Sequence, residues 1–259
     1  MAVDLSSPIS LAMPVDFSGR GPRHFGAPAA NAQPFSAPGF SGAVATGASC
    51  NCSTITLTPH CNGTHTECVG HLTREAVDAL SVIPAGLLPS LVLSIEPVDA
   101  KNTKEGTEPA PRPGDRLITA QSLERGWLLH GQTDSNSGGV FEARALIVRT
   151  LESVADAPPY LSGEAVQWLV ERGIEHLVVG LPSIDRAEDE GHLTAHRIFF
   201  GLPRKSNALS EAQRPQCTIT ELAQIPNDLA DGWYLLELQA PALSGDAVPS
   251  RPLLYPLLP

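Results

Sequence analysis

The chain is short of charge, of basic residues and of aromatic rings. Only 17% of its 259 residues are charged, and acids outnumber Lys and Arg by 28 to 17, leaving a net charge of −11. That balance excludes a general binder of nucleic acid or of anionic membranes, which needs clustered basic side chains to displace counterions. There is no run of about eighteen apolar residues, so no membrane-spanning helix is expected. The N-terminal stretch MAVDLSSPISLAMPVDF carries acids instead of a basic segment ahead of an apolar one. It does not read as a secretory signal, and a cytoplasmic location is expected. Cysteine is scarce and odd in number: Cys50, Cys52, Cys61, Cys68 and Cys217. In a reducing compartment that favours burial or metal ligation over disulfides. An apolar content of 42% is enough for a substantial core.

Punctuation and periodicity predict one domain, residues 1–259, of mixed α and β type. Residues 18–50 are rich in Gly, Pro, Ala and Ser and lack strand or helix periodicity, so they read as a long loop, with Phe17, Phe25, Phe35 and Phe40 as anchors. STITLTPH alternates as a strand does, LTREAVDAL reads as a short helix, and SLVLSIEPV and ARALIVRT read as strands. SGEAVQWLVERG has a Ser N-cap at Ser162 and Gly173 at its end, the marks of a helix. IEHLVVGLPSID follows as a buried strand and turn, GHLTAHRIFFG is helix-like, and QCTITELAQI and GWYLLELQA read as strands. GQTDSNSGG is a flexible loop and not a phosphate cradle, since no Gly-Lys-Ser/Thr follows it.

Chemistry concentrates in residues 60–71, HCNGTHTECVGH, which hold three of the eight histidines. Cys61, His65 and Glu67 recur at every second position or a multiple of it, so in extended chain they face the same way. Thiolate, imidazole and carboxylate all suit zinc. Gly63 is read as letting the backbone turn, and His71 stands near enough to return as a proton-transfer group. His60 competes with Cys61 for the first position. Cys61 is preferred, because a one-residue slip in a strand turns a side chain to the opposite face. Cys50 and Cys52 joining Cys61 and Cys68 in a structural zinc site is the bland alternative, and Cys-x-Cys is a poor chelating spacing for it.

NGTHTECVGH resembles the signature His-x-Gly-Thr-His-x-Asp-x-Pro-x-His of the cyclase-like metal-dependent hydrolases, the group of bacterial kynurenine formamidase and isatin hydrolase. Gly63, Thr64, His65 and His71 match it outright, whereas Cys61 stands for the first histidine, Glu67 for the aspartate and Val69 for the proline. DLSSPISLAMP, ALIVRT, the YLSGEAVQWLVERGIEHLVVGLPSID unit, AHRIFF and ITELAQIPNDLADGWYLLELQAPAL resemble later segments of that family in the same order. The resemblance covers nearly the whole chain, with residues 18–50 and about 203–216 as insertions.

The resemblance implies a swivelling β/β/α domain, in which a barrel-like mixed sheet is flanked by helices. It adds His196 and Glu221 to Cys61, His65 and Glu67 as ligands for one or two divalent ions, zinc or manganese, with His71 as the proton shuttle. It implies hydrolysis of a C–N amide bond in a small-molecule substrate, an arylformamide or a lactam, and a homodimer or homotetramer. His192, one helical turn before His196, is that residue's competitor. The substrate pocket is expected between the N-terminal loop and the insertion after His196. The two altered ligands also leave open a non-catalytic metal- or ligand-binding protein on the same scaffold.

Overall fold

The computed structural model describes residues 2–131, 142–151 and 157–258. Residues 132–139, in the stretch expected as a flexible loop, lie outside the described residues. The fold is mixed α/β. Its main strands are β1 (Ala2–Val3), β2 (Ile9–Ser10), β3 (His65–Cys68), β4 (Leu88–Ile95), β5 (Ala145–Thr150), β6 (His176–Val179), β7 (Thr218–Glu221), β8 (Gly232–Gln239), β9 (Ala247–Pro249) and β10 (Arg251–Leu258). Its longer helices are α1 (Ala120–His130), α2 (Gly163–Glu171) and α3 (Thr194–Phe200).

Among the described residues these strands form one ten-stranded mixed sheet in the order β1-β10-β8-β4-β5-β6-β7-β3-β9, with β2 also paired to β10. The centre, β4-β5-β6-β7, is parallel, and α1, α2 and α3 are its successive crossovers. Parallel strands joined by crossovers are covered on both faces, which is why they read as unbroken apolar runs. Leu146 and Val148 of β5 face a core shared with Leu123, Val166, Leu169 and Phe199 of the helices. Ala145 and Ile147 face the opposite way, into a second core with Tyr234, Leu236 and Leu254.

The helix expected over GEAVQWLVE forms as read: Ser162 Oγ accepts from Ala165 N–H at 2.9 Å, and Gly173 ends it at φ +70°. LTREAVDAL departs from expectation. Only Ala79–Val82 is helical, because Arg74 N–H donates to Asn207 O and the Thr73 hydroxyl to Glu75 O, which takes the early residues out of any helical ladder. The N-terminal loop is also more ordered than its composition suggests. Asn31–Pro34 pairs with Ser53–Thr56, and Ser36–Ala37 with Phe40–Ser41. No helix of the described residues is long and apolar enough to cross a membrane.

His176 opens β6, is buried, and places Nδ1 2.9 Å from Thr218 Oγ1 on β7. Burial pushes its pKa down to about 4 from the ordinary 6.5. As pH falls the unfolded chain therefore takes the proton first. Stability is intact above pH 6.5 and drains away between 6.5 and about 4. The expected loss from pH 7 to pH 5 is about 2 kcal/mol, measured by denaturant unfolding. His176→Gln should abolish that part of the slope, and an unaltered slope would contradict the assignment.

Candidate metal centre

The site is built where the parallel strands end. β3 runs antiparallel beside β7, with His65 opposite Glu221 and Glu67 opposite Ile219. His65 and Glu67 alternate on one face of β3, and Glu221 terminates β7. His196 lies in the first turn of α3, the crossover between β6 and β7, so it enters from the same end. Strands far apart in the chain thus bring His65, Glu67, His196 and Glu221 together, and all four are buried.

Their donor atoms crowd one small volume. His196 Nε2 is 2.7 Å from Glu67 Oε1 and 3.6 Å from Glu221 Oε1, and His65 Nε2 is 3.5 Å from Glu221 Oε2. Yet His65 Nε2, both Glu67 carboxylate oxygens and His196 Nε2 are buried with no hydrogen-bond partner of proper geometry. They point past one another at shared space, whereas their far sides are well satisfied. His65 Nδ1 faces Gly63 O at 3.1 Å, and His196 Nδ1 faces Asp185 Oδ2 at 2.6 Å. Asp185 is itself fixed by the backbone N–H groups of Ala195 and His196. An imidazole that donates from one nitrogen presents a lone pair at the other, as metal-bound histidines do. The donor set fits a divalent cation. Two groups of residues close enough to hold one, His60–His65–Glu67 and Glu67–His71–His196, meet at Glu67.

Electrostatics agree. Burial alone would raise the Glu67 pKa, but the positive charges of His196 and His71 hold it well below the carboxylate range. Burial would lower His196, and the facing Glu67 and Asp185 carboxylates lift it well above the usual imidazole range instead. In the ion-free protein, protons therefore occupy nitrogens that a cation would take, so loading exchanges protons for metal.

Cys61 does not lie on extended chain as the sequence reading expects. Residues 59–62 form a single helical turn, not extended chain, so the alternation through His65 and Glu67 does not reach back to Cys61. Cys61 joins none of the metal-competent groups; His60 does, with Nδ1 2.9 Å from Glu67 Oε2. The Cys61 thiol is pushed up in pKa, first by burial and then by the Glu221 charge. Gly63 also acts otherwise than expected. Its φ of 161° is ordinary extended backbone, and what favours glycine is close packing, since a Cβ would come within 3.1 Å of the Val15 side chain and 3.2 Å of the Met13 carbonyl. His192 faces Arg204 instead of the site, and Cys50 and Cys52 are exposed.

Four further residues complete the surroundings. Asp185 and Asp246 back the histidines, the latter 3.4 Å from His71 Nδ1. Asn62 donates to the carbonyls of Pro22 and Pro28, tying the N-terminal loop to the ligand turn. His24, carried by that loop, is lowered in pKa first by burial and then by the charge of His65. His24 and Phe25 line a cavity of about 650 Å³ that reaches Leu222, next to Glu221. The insertion at 203–216 contributes nothing to its lining. Leu222 and Leu193, close to Glu221 and His196, hold positive φ angles of 55° and 47°. Such strain in bulky residues marks sites where the surrounding structure over-determines the backbone.

The family model described as "Putative cyclase" matches residues 3–186, more than half of the chain. The chain belongs to the cyclase family. Its matched span holds the histidine cluster and Asp185; His196 and Glu221 lie beyond it. The search of curated proteins returns no match. Among solved structures, this cyclase-family chain is similar to one titled a potential metal-dependent hydrolase with cyclase activity, at 16% identity and a TM-score of 0.61, covering 98% of this chain and 99% of the other. A predicted metal-dependent hydrolase from Bacillus stearothermophilus matches at 16% identity and 0.58, over 96% and 98% of the two chains. Isatin hydrolase A from Labrenzia aggregata matches at 16% and 0.57, over 96% and 93%. At such identities the likeness establishes a common fold.

Loading with cobalt(II) separates the two candidate first ligands. The expected spectrum lacks the intense near-ultraviolet thiolate-to-cobalt band, and Cys61→Ser leaves affinity unchanged. His65→Ala should weaken binding by more than about a hundredfold, beyond the cost of losing an outer-shell partner. A thiolate band that disappears in Cys61→Ser would restore Cys61 as the ligand.

Proposed function

We propose that this cyclase-family chain is a metal-dependent hydrolase that cleaves a C–N amide bond, of arylformamide or cyclic-amide type. The observation that carries the reading is the set of buried donor atoms without hydrogen-bond partners on His65, Glu67 and His196, with a cavity of about 650 Å³ reaching Leu222, the neighbour of Glu221. Glu221 and His60 complete the ligand set in this reading. An all-imidazole and carboxylate set would suit zinc first and would accommodate manganese, as one ion or two.

A bound divalent ion supplies Lewis-acid polarisation of a carbonyl and a lower pKa for water. The remaining work falls to the chain. His71 is half-buried, with its ring 5.6 Å from that of His196, and in this reading it takes a proton from the attacking water and returns it to the departing nitrogen. The cavity wall of Met13, Phe25, Leu181, Pro182 and Ile225 would hold an apolar body and shed water around the scissile bond, while Gln224 offers a polar contact. A cytoplasmic homodimer or homotetramer belongs to the same proposal.

The test is a hydrolysis assay on an aryl formamide such as N-formylkynurenine, a bicyclic lactam such as isatin, and simple lactams, with zinc or manganese supplied. Turnover of at least one is expected, and His71→Ala should lower kcat by about 10²–10⁴-fold while the bound metal stays in place. Stoichiometric metal with no turnover of any substrate would contradict the enzyme and leave a binding protein on this scaffold.

A further inference from the structure

Asp246 precedes β9 and belongs to no motif, yet its backbone is held on both sides. Its carbonyl accepts from Cys68 N–H at 3.0 Å, and its neighbour Ala247 is in register with Glu67. On the other side, Gly245 N–H donates to Asp78 Oδ1 at 2.8 Å, and Gly245 O accepts from Ala79 N–H at 2.7 Å. The carboxylate is thus carried on a stiff corner of the sheet. One of its oxygens, Oδ2, lies 2.9 Å from His60 Nε2 and 3.4 Å from His71 Nδ1. The two rings it joins stand 4.3 Å apart between centroids, tilted by 35°.

We propose that Asp246 is the positioning residue that makes His60 a metal ligand, in place of the buried Cys61 beside it, while holding His71 against the same centre. The inference rests on the metal reading above. A neutral imidazole has one donor and one acceptor nitrogen. The His60 ring spans two carboxylates, with Nε2 at Asp246 and Nδ1 2.9 Å from Glu67 Oε2. Donation to Asp246 would keep the proton on Nε2 when a cation displaces the one between Nδ1 and Glu67. Asp185 does the same for His196 from the opposite side, with the two ring nitrogens exchanged. The centre then has two carboxylate-backed imidazoles facing one buried carboxylate.

A direct ligand role for Asp246 fits less well. His60, His71 and Asp246 are close enough to surround an ion, but the His60–Asp246 contact has full hydrogen-bond geometry and the Asp246 side chain is 44% exposed. The unpartnered atoms belong to His65, Glu67 and His196.

Zinc affinity by competition with a chromophoric chelator, and zinc stoichiometry by elemental analysis, test this on the full chain. Asp246→Asn keeps the side-chain shape and should weaken zinc by roughly tenfold or more, with the metal-free melting temperature measured alongside to show an intact fold. His60→Ala should weaken zinc similarly, and adding Asp246→Asn to it should cost nothing further, since the carboxylate acts through that ring. Wild-type affinity in Asp246→Asn, additive losses in the double variant, or loss of one whole zinc equivalent with the remainder unaltered would each overturn the proposal while the metal reading stands. Zinc binding that survives His65→Ala would instead overturn the metal reading and this inference with it.

Discussion

Glu67 puts an ionised carboxylate into a fully buried position on the strand next to the sheet's edge. An isolated charge there would cost many kcal/mol, and proteins relieve that by pairing it or by binding a cation. Here the relief comes from imidazoles on three sides: His196 from a crossover helix, His60 from the turn before the strand, and His71 from the turn after it. Everything distinctive about the site follows from keeping that carboxylate company. The helix start is held by Asp185, the strained Leu193 and Leu222 lie close to His196 and Glu221, and the N-terminal loop is tied down through Asn62.

The sheet explains how so few residues suffice. Parallel strands deliver their C-terminal ends to one edge, where crossover segments begin. β7 ends there with Glu221, and α3 starts there with His196 in its first turn. The antiparallel partner β3 then adds two side chains from one face, at a register that sets His65 against Glu221. Thr64 locks this corner by donating to Leu222 O at 2.5 Å and accepting from Met13 N–H at 2.7 Å.

Much of this is legible in the chain itself, and the reasons are local. Residues 145–148 and 177–179 are apolar runs because both faces of the parallel strands are covered, and Ser162 and Gly173 punctuate α2 by side-chain chemistry alone. The resemblance in segment order implies the convergence of His65, His196 and Glu221, and β3, α3 and β7 bring the three together. What fails to show is set by tertiary contact. Ala120–His130, for which the sequence reading makes no prediction, is a helix capped by Thr119. The choice between His60 and Cys61 turns on whether four residues are extended or helical, and Pro59 at the start of the turn was the available hint. Asp246 and His24 carry no pattern, since their importance lies in the strand and loop that bring them back to the cluster.

Glu67 as the hub of a metal centre is the claim on which the functional account depends. Anomalous diffraction at the zinc edge, from crystals of zinc-loaded protein, tests it most directly. The account expects density for an ion within about 2.3 Å of the Glu67 carboxylate and of His65 Nε2 or His196 Nε2. Zinc found only at the exposed Cys50 and Cys52, with the space between His65, Glu67 and His196 holding no metal, would contradict it.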